Sequence, residues 1–381
     1  MVKTKKHIPL ARPYFDKEEE TVISSVIRSK WVMQGPRVAE FEEKFANYIG
    51  SKYAVAVSSG TAALHLSLLA IGISETDEVI IPSFSFIATA NAVIYCRATP
   101  VFIDIDLRTY NISPEKIENY ITNAIKKGNK NIRAIMPVHQ FGMPADMDRI
   151  TAIAKKYNLP VIEDAACALG SKYKGRKTGS IGDIGCFSFH PRKIITTGEG
   201  GMITTNNKEV AEKIRLLRNH GMNKEDYPIV GYNYRMTDLQ GAIGIVQMKK
   251  LKYILETRRT IAKRYDRLLE KIDWLERSYV PDYVTTNYQS YPIRIKKNNY
   301  KIRDYVIAKL KKRGIFCKYG AQAIHLEKCY KGRYKRPDAL INTERAFHST
   351  VLLPLYHELK EEEQGKVVEN LRKFYLMADR V

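Results

Sequence analysis

The sequence has few cysteines and too few acidic residues to balance its basic ones. Among 381 residues there are five cysteines, an odd and widely spaced set without a Cys-x-x-Cys pair. This pattern argues against a disulfide scaffold and a cysteine-based zinc site, and we expect no metal. A reducing, cytoplasmic location is expected, because the basic N-terminus is not followed by the apolar stretch of a secretory signal.

Long uninterrupted apolar runs are also missing. The most hydrophobic window, residues 54–73, is broken by residues 58–61 and by His65. It is therefore predicted to be a buried strand, loop and helix, and no membrane span or membrane partner is expected. Internal repeats and low-complexity linkers are absent from the sequence as well, and the composition is that of an ordinary globular protein.

The shortage of acidic residues leaves a formal net charge of +22. Such a charge suits a polyanion or a substrate that carries a diphosphate. The basic residues, however, are spread along the whole chain, without the pattern of a nucleic-acid-binding module. We predict a solvated, lysine-rich surface and no nucleic-acid partner, with a partner-binding patch as the alternative.

Short apolar, β-branched runs alternate with helical stretches in the first two thirds of the chain. Near-continuous apolar strands of this kind predict an α/β fold with a mainly parallel sheet covered by helices. A long helical pattern follows at about residues 233–275, and the rest predicts a smaller α/β domain. We place the large domain at 1–250 and the small C-terminal domain at 251–381. The predicted strands are residues 54–57, 78–81, 99–103, 132–136, 160–162, 184–188 and 201–205.

Polar residues follow several of these strands, where ligands collect in parallel sheets. The segments are 58–61, 82–86, 138–142 and 163–164. Asp164 closes an apolar strand, and burying its carboxylate without a cation would be costly. A pyridinium N–H would supply that partner, and a helix cap or an exposed acid is the alternative.

Lys193 lies in a turn-rich segment after the strand 184–188. An amine that bonds to an aldehyde and a carboxylate that keeps a pyridine nitrogen protonated are what pyridoxal 5′-phosphate (PLP) requires from its protein. Ser188 and the helix start at Thr61 and Ala62 offer hydroxyl and N–H groups for a phosphate. Without a ligand, residues 59–62 would be an ordinary helix N-cap. Phe86 is predicted either to stack on the pyridine ring or to lie in the core.

Taken together, the segments resemble the DegT/DnrJ/StrS family of PLP-dependent nucleotide-sugar aminotransferases, which have fold-type I. The resemblance runs through residues 31–36, 57–66, 82–91, 137–139, 163–166, the Lys193 segment and 231–237. It implies an enzyme and a homodimer with shared active sites.

The family resemblance also implies roles for single residues. Lys193 would hold the cofactor and carry the proton, Asp164 would pair with the ring nitrogen, and Phe86 would stack on the ring. Thr61, Ala62 and Ser188 would bind the phosphate, together with Asn233 of the neighbouring subunit. At position 167 this chain has Cys, whereas many members of the family have Gln or His, which hydrogen-bonds to the cofactor's phenolic oxygen. His325 is expected either to touch the substrate or to be structural.

The predicted reaction is transfer of an amino group from L-glutamate to a nucleoside-diphosphate keto sugar. The resemblance favours amination at C4 of a 4-keto-6-deoxyhexose. A 3-keto sugar or a carbocyclic ketone such as an inosose is an alternative acceptor. A related sugar dehydratase typically has His in place of Lys193, and a non-catalytic binding protein would not need Lys193, Asp164 and Ser188 together.

Overall fold

The computed structural model describes residues 7–297 and 299–378, so the basic cluster at residues 3–6 lies outside the described residues. The helices are α1 (Lys17–Ser29), α2 (Pro36–Ile49), α3 (Gly60–Ala70), α4 (Ala88–Tyr95), α5 (Pro114–Lys126), α6 (Met147–Tyr157), α7 (Lys208–Leu217), α8 (Asp238–Leu269), α9 (Tyr300–Lys312), α10 (Ile341–Ser349) and α11 (Glu361–Ala378). Short 3-10 helices span Gln140–Gly142 and Ile324–Leu326.

The strands follow the predicted pattern closely in the first two thirds of the chain. They are β1 (Tyr53–Val57), β2 (Glu78–Pro82), β3 (Phe84–Ser85), β4 (Thr99–Ile103), β5 (Ile132–Ile135), β6 (Ile162–Asp164), β7 (Lys172–Tyr173), β8 (Arg176–Lys177), β9 (Ile184–Ser188), β10 (Gly201–Thr205), β11 (Leu275–Arg277), β12 (Val284–Thr285), β13 (Tyr291–Ile295), β14 (Lys318–Tyr319), β15 (Gln322–Ala323) and β16 (Thr350–Leu353).

The central sheet has the order β1-β10-β9-β6 continued by β5-β2-β4. Parallel bridges from Ile135 to Val161 and from Val138 to Asp164 join the two parts. β10 is antiparallel to both of its neighbours, whereas β6 with β9, β2 with β4 and β2 with β5 are parallel. The sheet is thus mainly parallel and mixed, and the predicted α/β fold is confirmed.

The long helical pattern corresponds to α8, which begins at Asp238 rather than near residue 233. Thr237 forms a capping box with Gln240, and this box fixes the start of the helix. The carboxylate of Asp238 accepts the backbone N–H groups of Gly35 and Val38, at 2.8 and 3.0 Å. The helix therefore also anchors the loop that precedes α2.

The C-terminal part contains an antiparallel sheet, β11-β13-β16-β14. Its apolar side packs with the second half of α8, α9 and α11 in one hydrophobic cluster that includes Ile261, Ile293 and Val367. α8 passes through residue 250 without a break, so the boundary between 1–250 and 251–381 remains a prediction. No helix within the described ranges is long and apolar enough to cross a membrane.

Candidate active site

Asp164 ends β6 and is buried, with 4% of its surface exposed. Its Oδ2 accepts a hydrogen bond from the Thr89 hydroxyl at 2.9 Å, and its Oδ1 accepts the Ala166 N–H at 3.2 Å. Among the described residues, no cation lies within salt-bridge distance of it. Burial raises the pKa of the Asp164 carboxyl, although the Thr89 hydroxyl and then the charge of Lys193 oppose that shift. A cationic ligand would relieve this cost.

Lys193 faces the same strand end. The loop after β9 carries it, and its Nζ lies 3.1 Å from Cys167 Sγ. Cys167 follows Asp164 by three residues, so the amine lies beside the segment that leaves β6. No carboxylate among the residues described here pairs with this amine. The Lys193 amine and the Asp164 carboxyl group therefore share one site without forming a salt bridge with each other.

The helix start and Ser188 form a compact corner next to this pair. Ser59 caps α3 by accepting the Ala62 N–H at 3.0 Å, so the predicted N-cap is present. A Cβ atom placed on Gly60 would lie 2.7 Å from Ser188 Cβ, and one on Gly201 would lie 2.3 Å from the Ser59 carbonyl oxygen. Only glycine lets the β9, β10 and α3 segments approach this closely. Thr61 and Ser188 are both half-buried.

Phe86 is 62% exposed, which excludes the alternative that it is a core residue. Its carbonyl oxygen accepts the Thr89 N–H at 3.1 Å, and Thr89 in turn contacts Asp164. The exposed ring is thus attached to the same segment as the buried carboxylate. An exposed aromatic ring on a segment that also contacts a buried acid suits a flat, partly apolar ligand.

His325 and Asn233 differ in their surroundings. His325 is buried, with Nδ1 2.7 Å from Ser83 Oγ and Nε2 3.2 Å from Glu344 Oε1. Both ring nitrogens are thus occupied by the chain itself, which agrees with a structural role, and substrate contact remains a prediction. Asn233 is exposed, and its side chain makes no hydrogen bond within the described ranges. Its phosphate role remains a prediction too.

Three further groups belong to the neighbourhood of the site and were not assigned from the sequence. Thr89 bonds to Asp164, Gln289 donates through Nε2 to the Arg192 carbonyl beside Lys193, and His139 bonds to Glu163. The sequence predicts that segments 138–142 and 163–164 follow strands, but the pairing of His139 with Glu163 depends on contacts between those strands. Nothing in the local sequence signals Gln289.

Two clefts of about 710 and 750 Å³ lie elsewhere. One is lined by Arg108, Gln140 and Arg277, among others, and the other by Glu78, Tyr120 and Lys335, among others. None of the predicted site residues lines either cleft. The candidate active site is therefore at the strand ends, where Lys193 and Asp164 share one site and neither has a salt-bridge partner among the described residues.

A mixed sheet with a lysine and a buried aspartate at adjacent strand ends is the arrangement of a PLP-dependent transferase of fold-type I. Residues 13–372 match the DegT/DnrJ/EryC1/StrS aminotransferase family, and the chain belongs to this family. It is a sugar aminotransferase. The predicted family and enzyme class are confirmed.

Similar proteins agree with this assignment. GDP-perosamine synthase of Caulobacter vibrioides is 40% identical, with 96% of this chain and 97% of that protein covered. A DegT/DnrJ/EryC1/StrS aminotransferase from Brucella abortus has a TM-score of 0.89 at 33% identity, covering 94% of this chain and 95% of that one. Spr1654 from Streptococcus pneumoniae, described as a sugar aminotransferase and solved in a PLP form, has a TM-score of 0.91 at 27% identity, covering 98% of this chain and 100% of that one.

Proposed function

We propose that this enzyme moves an amino group from L-glutamate to C4 of a nucleoside-diphosphate 4-keto-6-deoxyhexose, with PLP as its cofactor. PLP supplies an aldehyde that bonds to amines and a ring that withdraws electrons from the carbon losing its proton. The chain itself must hold that ring, keep its nitrogen protonated and move the proton. The similarity to GDP-perosamine synthase supports a sugar-nucleotide acceptor.

One observation carries the proposal: Lys193 and Asp164 share a site while each lacks an ionic partner among the described residues. A buried carboxylate that lacks a cation costs folding free energy, and such a cost is typical of functional sites. A protonated ring nitrogen at Asp164 would provide the missing cation. An aldehyde could react with the Lys193 amine, which forms no salt bridge with a carboxylate among the described residues.

The surrounding residues fit the other parts of the cofactor. The exposed ring of Phe86 would cover one face of the pyridine. Thr61 and Ala62 lie at the α3 N-terminus, where backbone N–H groups and the helix dipole favour a phosphate, and Ser188 at the end of β9 lies close to Gly60 of the same helix. Lys193 would accept the proton from the amino-donor carbon and return it to the sugar carbon. Asn233 of a second subunit would complete the phosphate site.

Arg192, the neighbour of Lys193 in the chain, and Lys318, which lies near Arg192, support an anionic substrate. Arg192 is exposed, and Lys318 on β14 is half-buried. Burial lowers the pKa of Lys318, and the nearby charge of Arg192 lowers it further. Within the described residues, neither cation has a carboxylate at salt-bridge distance. The diphosphate of a sugar nucleotide, or the carboxylate of the amino donor, would offset the repulsion between Arg192 and Lys318.

Exposed apolar side chains support a homodimer with shared active sites. Trp31 and Met33 project from the loop that Asp238 fixes, and Val230, three residues before Asn233, is 91% exposed. Exposed apolar groups on a fixed loop are typical of surfaces that meet another protein chain. A second copy that covers them would also bring its Asn233 to the neighbouring site.

The experiment is an acceptor panel. Purified enzyme with PLP and L-glutamate is offered 4-keto and 3-keto sugar nucleotides and an inosose, and products are identified by mass spectrometry. We expect an amino sugar from the 4-keto-6-deoxyhexose and none with Lys193→Ala. A dehydrated product, or amination of the 3-keto sugar or inosose alone, would overturn the proposed reaction.

A further inference from the structure

Glu163 and His139 form a fully buried pair next to Asp164. Glu163 Oε2 lies 2.8 Å from His139 Nε2, and both side chains are inaccessible to solvent. The other ring nitrogen, Nδ1, accepts the backbone N–H of Ala145 at 3.0 Å. Because Nδ1 accepts, the ring proton lies on Nε2 and is donated to the carboxylate. The imidazole is therefore fixed in both tautomer and orientation.

The Glu163 carboxylate also holds the turn before β9. It accepts the backbone N–H groups of Gly179 at 2.8 Å, Ile181 at 2.7 Å and Gly182 at 2.7 Å. Burial alone would raise the pKa of Glu163, but the hydrogen bond from His139 and those from the backbone outweigh it and hold that pKa below its ordinary value. The residue is thus a buried anion with four N–H donors.

These contacts join the segments that carry the two catalytic groups. Asp164 N–H donates to the Pro137 carbonyl at 2.9 Å, and His139 N–H donates to the Asp164 carbonyl at 3.1 Å. The turn at residues 179–182 leads into β9, whose Cys186 pairs with Asp164 and after which Lys193 follows. Glu163 therefore links the end of β6 to the start of the segment that bears Lys193.

We propose that Glu163 and His139 are positioning residues that set the Asp164 carboxylate relative to the Lys193 amine. Successive side chains of a strand point to opposite faces, so Glu163 points away from the face on which Asp164 meets the cofactor. The pair acts only through Asp164 and the β9 turn. This inference rests on the proposed function, because it requires a cofactor between Asp164 and Lys193.

Glu163→Gln tests the pair, because it keeps the shape while removing the charge and placing an amide NH₂ against an N–H donor. The rate of the glutamate half-reaction is followed by stopped-flow absorbance, without any sugar. We expect the maximum rate to fall about 10- to 100-fold, since small displacements of reacting groups have effects of this size. The glutamate concentration at half-maximal rate should change less, and the absorbance maximum of the lysine-bound cofactor should shift.

Glu78→Gln is the matched control. Glu78 is a buried carboxylate at the start of β2, whereas Asp164 is at the end of β6, so the two lie at opposite ends of the parallel strands. Glu78 accepts hydrogen bonds from Tyr120, Asn129 and Lys335. This change should lower thermal stability yet leave the absorbance maximum and the half-reaction rate unchanged. A Glu163→Gln variant that loses stability but keeps both cofactor readouts would overturn the positioning role.

His139 provides a second test that does not depend on Glu163→Gln folding. His139→Ala should slow the half-reaction and shift the absorbance, and His139→Gln, which restores a donor to Glu163, should recover part of the rate. Wild-type readouts in His139→Ala would contradict the inference. A wild-type enzyme without any cofactor absorbance would instead contradict the proposed function itself, so the two failures can be told apart.

Discussion

Lys193 Nζ lies 3.1 Å from Cys167 Sγ, which puts a half-buried thiol against the amine expected to hold the cofactor. The cofactor bound to Lys193 would therefore cover Cys167. We predict that iodoacetamide modifies Cys167 in cofactor-free enzyme and that PLP slows this modification at least about tenfold. Peptide mass spectrometry measures both rates.

Cys329 is exposed and gives an internal control in the same sample. It should be modified at the same rate with and without PLP. Cys96 and Cys186 are buried and should stay unmodified while the protein is folded. Equal rates at Cys167 in both samples would show that the cofactor does not lie over this thiol.

Asp164→Asn should stabilise the cofactor-free protein while crippling amino transfer. The folded-state pKa of Asp164 is raised above its ordinary value of 3.8, so the folded state binds more protons than the unfolded state, and its stability falls as pH rises. Asparagine does not ionise, so the variant does not lose stability in this way as the pH rises. The gain in melting temperature should build up as pH rises above 3.8 and level off above the folded-state pKa.

Thermal unfolding across a pH series measures that difference, and glutamate-dependent turnover measures the loss of activity. Thr89 can turn its hydroxyl to accept from the new amide and donate to Ser85 Oγ, 2.8 Å away, so the variant should fold. A cofactor-free Asp164→Asn protein that is less stable than wild type at neutral pH would contradict the assignment of an unpaired buried carboxylate.

Gly201→Ala should weaken cofactor binding by disturbing the start of α3 and Ser188, where the phosphate is proposed to bind. The new Cβ would lie 2.3 Å from the Ser59 carbonyl oxygen, so the turn before α3 must move. We expect a loss of about 1–3 kcal/mol in the free energy of unfolding, typical of an overpacked site, and a raised dissociation constant for PLP. Chemical denaturation and a PLP fluorescence titration measure the two.

Gly365→Ala is the control for that substitution. Gly365 lies in α11, and nothing approaches its added Cβ within 4 Å. Alanine there should raise the free energy of unfolding by about 0.5–1 kcal/mol, the ordinary gain in a helix interior, and leave PLP binding unchanged. If Gly201→Ala also left PLP affinity unchanged, the phosphate would bind elsewhere.

A hybrid dimer should show whether Asn233 acts across the subunit interface. Lys193→Ala and Asn233→Ala chains are made together with different tags, and the hybrid is isolated. If the site is shared, one of its two sites has both residues, so about half of the wild-type activity per dimer should return. Each single-variant dimer is the reference. A hybrid with no more activity than the two references would place Asn233 outside the neighbouring site.

The sequence predicted the central sheet well, because buried strands in an α/β fold are short, apolar and separated by helices. It did not show that β10 runs antiparallel, since residues 201–205 are buried throughout, as those of a central parallel strand would be. Two-residue strands such as β3 and β15 have too few residues for a periodic pattern and depend on pairing with each other. The predicted helical pattern begins earlier than α8 does, because the capping box of Thr237 and Gln240, and not the apolar periodicity, fixes the start of the helix.

The sequence predicted only those site residues whose chemical role follows from their own segment of the chain. Lys193, Asp164 and Ser188 stand at strand ends within distinctive segments, and the structure brings Asp164 and Lys193 to one place. The contacts of Thr89 with Asp164 and of His139 with Glu163 join residues from separate segments, 75 and 24 positions apart. Such contacts follow from the strand order, which a single sequence does not contain.

The visible absorption spectrum of the purified enzyme with PLP, recorded before and after L-glutamate and without sugar, tests the central claim most directly. We predict a band from cofactor bound to Lys193, which glutamate converts to the spectrum of the aminated cofactor, and no lysine-bound band in Lys193→Ala. The same band in Lys193→Ala, or a wild-type spectrum that ignores both PLP and glutamate, would contradict the account.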